Sequence, residues 1–186
     1  MSTLADEFCA WVLHPSRTND ELYTAELILE WGRVVWGWKH KNPEVTDWEL
    51  DRKKRSARRL NPAYRPKIDR DLLDKTIEVW GEIKRFATSY SDDRVVRNLS
   101  ALHFFPHLEE VEIRDCEVED FSVLRELQAL KKYCVTEPHL NGGHHFQSLE
   151  DLAVLPTLES LSLSLSGRIS LYWVMWGRST AWRRQT

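Results

Sequence analysis

The stretch HLEEVEIRDCEVEDFSVLRELQALKKYCV, residues 107–135, changes period partway along. It begins with Leu108, Val111 and Ile113, the last two set between charged residues as in a half-buried strand. It then passes to Phe121, Leu124, Leu127 and Leu130, which stand three apart. Tyr133 and Val135 follow Leu130 as Val111 and Ile113 follow Leu108, and the shared offset is 130 − 108 = 22 residues. An offset that carries a whole apolar pattern onto itself marks an internal repeat, here a strand joined to a return segment.

The frame extends unevenly in both directions. Leu149, Leu152, Leu155, Leu158, Leu161 and Leu163 supply a third strand, but 158 − 130 = 28, so six residues are inserted in or near PHLNGGHHFQS, residues 138–148. Upstream, Val96, Leu99, Leu102 and Phe105 match Val118, Phe121, Leu124 and Leu127, whereas the preceding strand positions would fall on Ser89 and Ser91. The repeats are therefore expected to begin in mid-unit. Beyond Leu163 the pattern places Arg168 where an apolar residue is required, and it fails there.

Leu108, Val111 and Ile113 fit L-x-x-L-x-L, Cys116 takes the position that favours Asn or Cys, and Val118 follows two residues later. Over residues 96–166 the chain resembles a leucine-rich repeat protein, and EDFSVLRELQAL, residues 119–130, is similar to the short repeat of the internalins and their bacterial relatives. The resemblance implies parallel strands, each followed by a turn and a 3₁₀-like return on the convex side. It also implies protein recognition through the strand face. The residues flanking the buried positions point to that face with period 2. They are Glu110, Glu112 and Arg114 on the first strand, Lys132, Cys134 and Thr136 on the second, and Ser160, Ser162 and Ser164 on the third. The surface is expected to grade from acidic to small and polar, as an adaptor or an immunity-type protein would use it.

The residues ahead of the repeats read as helices. Leu4, Phe8 and Trp11 share one face of a short helix that ends at His14-Pro15. Thr18 and Glu21 form a capping-box pattern before a second helix that is apolar over most of its circumference, so Trp31, Trp36 and Trp38 are expected in the core. Asn42-Pro43 marks its exit. A mostly basic, exposed helix is expected from Thr46 to Asn61, and a fourth from Asp69 that carries Trp80, Ile83 and Ala87 on its apolar stripe. The fold class is thus α+β: a helical N-terminal region and cap over residues 1–90, a short leucine-rich-repeat solenoid with a small parallel sheet over 91–166, and an atypical tail over 167–186. In that tail residues 169–176 are expected to fold back over the solenoid end, with disorder beyond Gly177.

Composition restricts the function classes. Hydrophobic residues make up 42% and charged residues 30% of 186 residues, which is the balance of a globular chain able to bury a core. Three cysteines without close spacing (Cys9, Cys116, Cys134) argue against a disulfide framework or zinc site, and the acidic start argues against a signal peptide, so a cytoplasmic location is expected. Cys134, Glu137, His139, His144 and His145 carry no metal-ligand spacing and read as part of a polar insert; no metal or cofactor is expected. No nucleophile motif or phosphate loop occurs, so the chain is read as a non-enzyme. The basic cluster from Arg52 to Arg70 invites nucleic acid, with an enzymatic role for the helical region as a related alternative, but the overall pI near 6.2 opposes a dedicated nucleic-acid binder. Protein is the favoured partner, nucleic acid the alternative, and no membrane association is expected.

Overall fold

Thr3 and Thr18 each start a helix by the same exchange of hydrogen bonds. The Thr3 hydroxyl accepts from the Asp6 N–H (3.2 Å) while the Thr3 N–H donates to the Asp6 carboxylate (2.9 Å), and Thr18 and Glu21 repeat this at 3.2 and 2.8 Å. Each box satisfies donors that a helix leaves open at its N-terminus. The helices are α1, Leu4–Val12, and α2, Asn19–Lys39. The computed structural model describes residues 3–42, 64–88, 96–114, 118, 122–137, 157–165, 169–174 and 183–185; the expected basic helix lies outside them.

The buried face of α1 is Phe8 and Val12, with Trp11 half-buried; Leu4, expected on that face, is 37% exposed because the contact with the rest of the fold begins one turn later. Helix α2 ends in a Schellman arrangement. Lys41 takes a left-handed φ of 51°, its N–H bonds the Trp38 carbonyl (3.3 Å), and the Asn42 N–H bonds the Gly37 carbonyl (3.0 Å). Helix α3, Arg70–Glu78, is capped by the Asp69 carboxylate, which accepts from the Asp71 and Leu72 N–H groups. It crosses α2 at very short range. A Cβ on Gly32 would lie 2.3 Å from Thr76 Oγ1, which itself donates to the Leu72 carbonyl (2.7 Å).

Helix α3 stops well short of the expected end at Ala87. A 3₁₀ turn, Trp80–Glu82, follows, and Arg85–Ala87 form strand β1. Apolar residues three to four apart satisfy a helical face, but Ile83 and Phe86 are buried equally well (1% exposed each) in a chain that straightens to pair with a strand. Pairing decided the outcome, as tertiary contacts often override local pattern.

Among the described residues six strands lie in sequence order: β1, β2 (Glu110–Arg114), β3 (Lys132–Glu137), β4 (Ser160–Leu165), β5 (Ile169–Val174) and β6 (Arg183–Gln185). The first four are parallel, β5 runs antiparallel to β4, and β6 antiparallel to β5. The molecule is therefore α+β. Val111 pairs with Tyr133 and Ile113 with Val135, at the 22-residue offset, and Tyr133 pairs with Leu161 at the 28-residue offset. Phe86 pairs with Val111. The first strand thus stands three residues ahead of Ser89, which is why a fixed frame overlooks it. Residues 183–185 also form a strand, in place of the disorder expected beyond Gly177.

Between strands the chain returns through 3₁₀ turns at Ser100–Phe104 and Ser122–Glu126. Leu99, Leu102, Phe105 and Leu108 on the first return, and Leu124, Leu127 and Leu130 on the second, are at most 2% exposed. They share one hydrophobic core with the helices. The junction is aromatic: Phe8 of α1 meets Trp80 at 5.3 Å, Phe105 at 5.4 Å and Phe104 at 5.6 Å between ring centroids.

Leu127→Ala and Leu130→Ala are each expected to lower unfolding free energy by about 2–5 kcal/mol, since both side chains are fully buried and truncation leaves a cavity. Gly32→Ala, which in an exposed helix would stabilise, is expected here to destabilise by roughly 1–3 kcal/mol through overpacking on Thr76. Urea denaturation checks all three; an unchanged midpoint for Gly32→Ala would refute the close crossing. A pH dependence follows from His107, whose Nε2–H donates to the Trp80 carbonyl at 2.7 Å. Burial holds its pKa below the ordinary imidazole value. The unfolded chain therefore takes up this proton more readily, so the contribution is complete above about pH 6.5 and is lost as pH falls below that value. His107→Gln is expected to flatten the stability profile in that window.

Candidate functional site

Parallel pairing places the alternate residues of neighbouring strands in rows. Arg85, Glu110, Lys132 and Ser160 make the first row, Ala87, Glu112, Cys134 and Ser162 the second, and Arg114, Thr136 and Ser164 the third, the last placed by backbone register. All nine residues singled out from the sequence fall in these rows. The intervening Val111, Ile113, Tyr133, Val135 and Leu161 are at most 5% exposed, while Glu110, Glu112, Cys134, Ser160 and Ser162 are partly exposed and Lys132 is exposed. The antiparallel register of β5 continues the rows with Val174 opposite Ser160, Tyr172 opposite Ser162 and Ser170 opposite Ser164.

The electrostatics of the face differ from the expected acidic end. Lys132 Nζ lies 2.7 Å from Glu110 Oε1, Arg85 Nη2 lies 2.7 Å from Glu112 Oε2, and Arg85 Nε lies 3.7 Å from Glu110 Oε2. The two acids are thus held by cations on either side of their own strand. One position earlier, Lys131 Nζ meets Glu109 Oε2 at 2.6 Å; its hydrogen bond holds the Glu109 carboxyl below the usual range, and the same bond raises Lys131. Charge alternates by strand, with Lys84-Arg85 before Glu109-Glu110 and Glu109-Glu110 before Lys131-Lys132. Assigning Arg85 to a helix hid its role. Those three charged pairs, each standing at the start of a strand, are the sequence signal that would have revealed it.

The other candidates distribute as follows. Cys134 is partly buried in the second row and is a free thiol, as is Cys9 of α1, whose pKa burial pushes up. Cys116, His139, His144 and His145 lie outside the described residues. Among the described residues no group of three or more His, Cys, Asp and Glu side chains is placed to hold a metal ion. Of the basic cluster, Arg65, Lys67 and Arg70 are described and exposed. Trp38, expected in the core, is 59% exposed, since α2 turns that side outward; its ring meets half-buried Trp31 edge-on at 6.0 Å. Trp36 is half-buried, donating Nε1–H to Glu78 (2.7 Å) beneath the Lys75 ammonium, 5.0 Å from its ring. No helix among the described residues is long and apolar enough to cross a membrane.

The cross-strand pairs bear on position more than on stability, because exposed ion pairs contribute about 0.2–1 kcal/mol each. A double-mutant cycle on Glu110→Ala and Lys132→Ala is expected to give a coupling within that range, shrinking as salt is raised. A coupling of zero at low salt would show that the pair does not form in solution.

No family model, curated protein or solved structure matches this chain.

Proposed function

We propose that the chain is a protein-interaction module of the leucine-rich-repeat kind, an adaptor or an immunity-type protein that masks another protein, and that it binds its partner through the strand face described above. One observation carries this reading. Parallel strands in register bury every second residue and hold the residues between in fixed rows, so an array of side chains is positioned for contact at no further cost in backbone order. The leucine-rich returns, the 22-residue spacing and the helices that share the core agree with it. The face needs no chemistry of its own, and the module is read as a non-enzyme. Because Glu110 and Glu112 are engaged by Arg85 and Lys132, shape and specific polar contacts govern recognition here, with little long-range attraction for a basic partner.

Capture of a partner on immobilised protein, with its identification and then titration, tests the reading. Ser162→Arg, at the centre of the face, is expected to reduce affinity at least about tenfold, or 1.4 kcal/mol. Its effect on folding should stay near 0.5 kcal/mol, as for most surface changes. Glu112→Lys is expected to act in the same direction. If both variants bind normally while Arg65→Glu and Lys67→Glu abolish a strongly salt-dependent association, the basic N-terminal segment is the functional part and a nucleic acid is the ligand.

A further inference from the structure

A second recess lies away from the strand rows, among α1, the first turn of α2 and the two 3₁₀ returns. It is an open groove of about 810 Å³, a size within the range of small-molecule sites. Trp11 and Phe104 give it an aromatic floor, their ring centroids 5.6 Å apart, and Arg17 covers one face of the Trp11 indole at 5.1 Å. Asp20 and Arg97 contribute one charge of each sign. The backbone beside Arg97 is fixed, because buried Thr24 of α2 donates to the Asn98 carbonyl at 2.5 Å. His103 and Glu126, from the two successive returns, are bonded to each other through Nδ1 and Oε2. The carboxylate makes Nδ1 the donor and leaves Nε2 as the ring's remaining polar atom.

We infer that this groove binds a small zwitterion with an aromatic body, the chemistry of a free aromatic amino acid. The charges of the wall restrict what it can hold. A ligand with only negative charge would meet two acids, Asp20 and Glu126, whereas one with only positive charge would match those acids but offer nothing to Arg97. A purely apolar ligand would bury Arg97, Asp20 and His103 without replacing their hydration. A zwitterion presents its carboxylate to Arg97 and its ammonium to Asp20, joining or exchanging with the contacts these residues make within the chain, while its ring adds to Trp11 and Phe104. This site is independent of the strand face, and its occupation does not depend on the partner of that face.

The test is calorimetric titration of the full chain with L-phenylalanine, against phenethylamine, which lacks the carboxylate, and 3-phenylpropionate, which lacks the ammonium. Saturable binding of L-phenylalanine is expected, with each control at least about tenfold weaker. Arg97→Gln is expected to weaken L-phenylalanine and 3-phenylpropionate but not phenethylamine, and Asp20→Asn to weaken L-phenylalanine and phenethylamine but not 3-phenylpropionate. Each variant is first shown to unfold at the wild-type midpoint; should Asp20→Asn not, Arg97→Gln and the two control ligands still decide. Absence of saturable binding up to roughly 10 mM, or a control that binds as tightly as L-phenylalanine, overturns the proposal.

Discussion

The parallel pairing of β1 to β4 is the constraint around which the described fold is arranged. A hairpin cannot connect such strands, so the chain must travel back across the fold before each new one. The returns at Ser100–Phe104 and Ser122–Glu126 do this, and their leucines fill the space beneath the sheet. The starts of β2, β3 and β4 are fixed in the same way: the N–H groups of Glu109, Lys131 and Glu159 donate to the carbonyls of Lys84, Glu109 and Lys131, each at 2.8 Å. A slip of one residue would drive Glu110 and Glu112 inward and Val111 and Ile113 outward. Register, burial and the exposed rows are therefore one constraint seen from three sides.

The helices complete what the sheet leaves uncovered. Phe8 of α1 and the buried side of α2 enter the same core as the leucines of the returns. The helices hold their own geometry through contact between small groups. Gly32 lets α3 approach until Thr76 occupies the space that a side chain would fill. At the other end β5 reverses direction along β4, with Leu161 opposite Trp173 and Leu163 opposite Leu171, which closes the parallel series with an antiparallel pair.

Charge alternates between neighbouring strands. The cations of β1 and β3 stand beside the acids of β2, so Glu110 and Glu112 each lie against a cation of a neighbouring strand. Such pairs add little to stability, yet they oppose any register that would set like charges side by side.

The sequence by itself determined the period of the repeats, the strands at Val111, Tyr133 and Leu161, the capping box at Thr18 and the identity of the rows, because each depends on spacing within a short segment or on a fixed offset. The charge state of the face was not legible. It depends on β1, whose apolar residues fit a helix as well as a strand, and only the presence of β2 beside it decided between them. The exposure of Trp38 was likewise settled by which side of α2 met the core, a choice that periodicity leaves open when apolar residues surround the helix, and that of Leu4 by where along α1 the contact begins. The groove among α1, α2 and the returns was invisible for the same reason. Its residues, from Trp11 to Glu126, share no motif and no spacing, and only the packing of helices against returns brings Asp20, Arg97 and the His103–Glu126 pair to one recess.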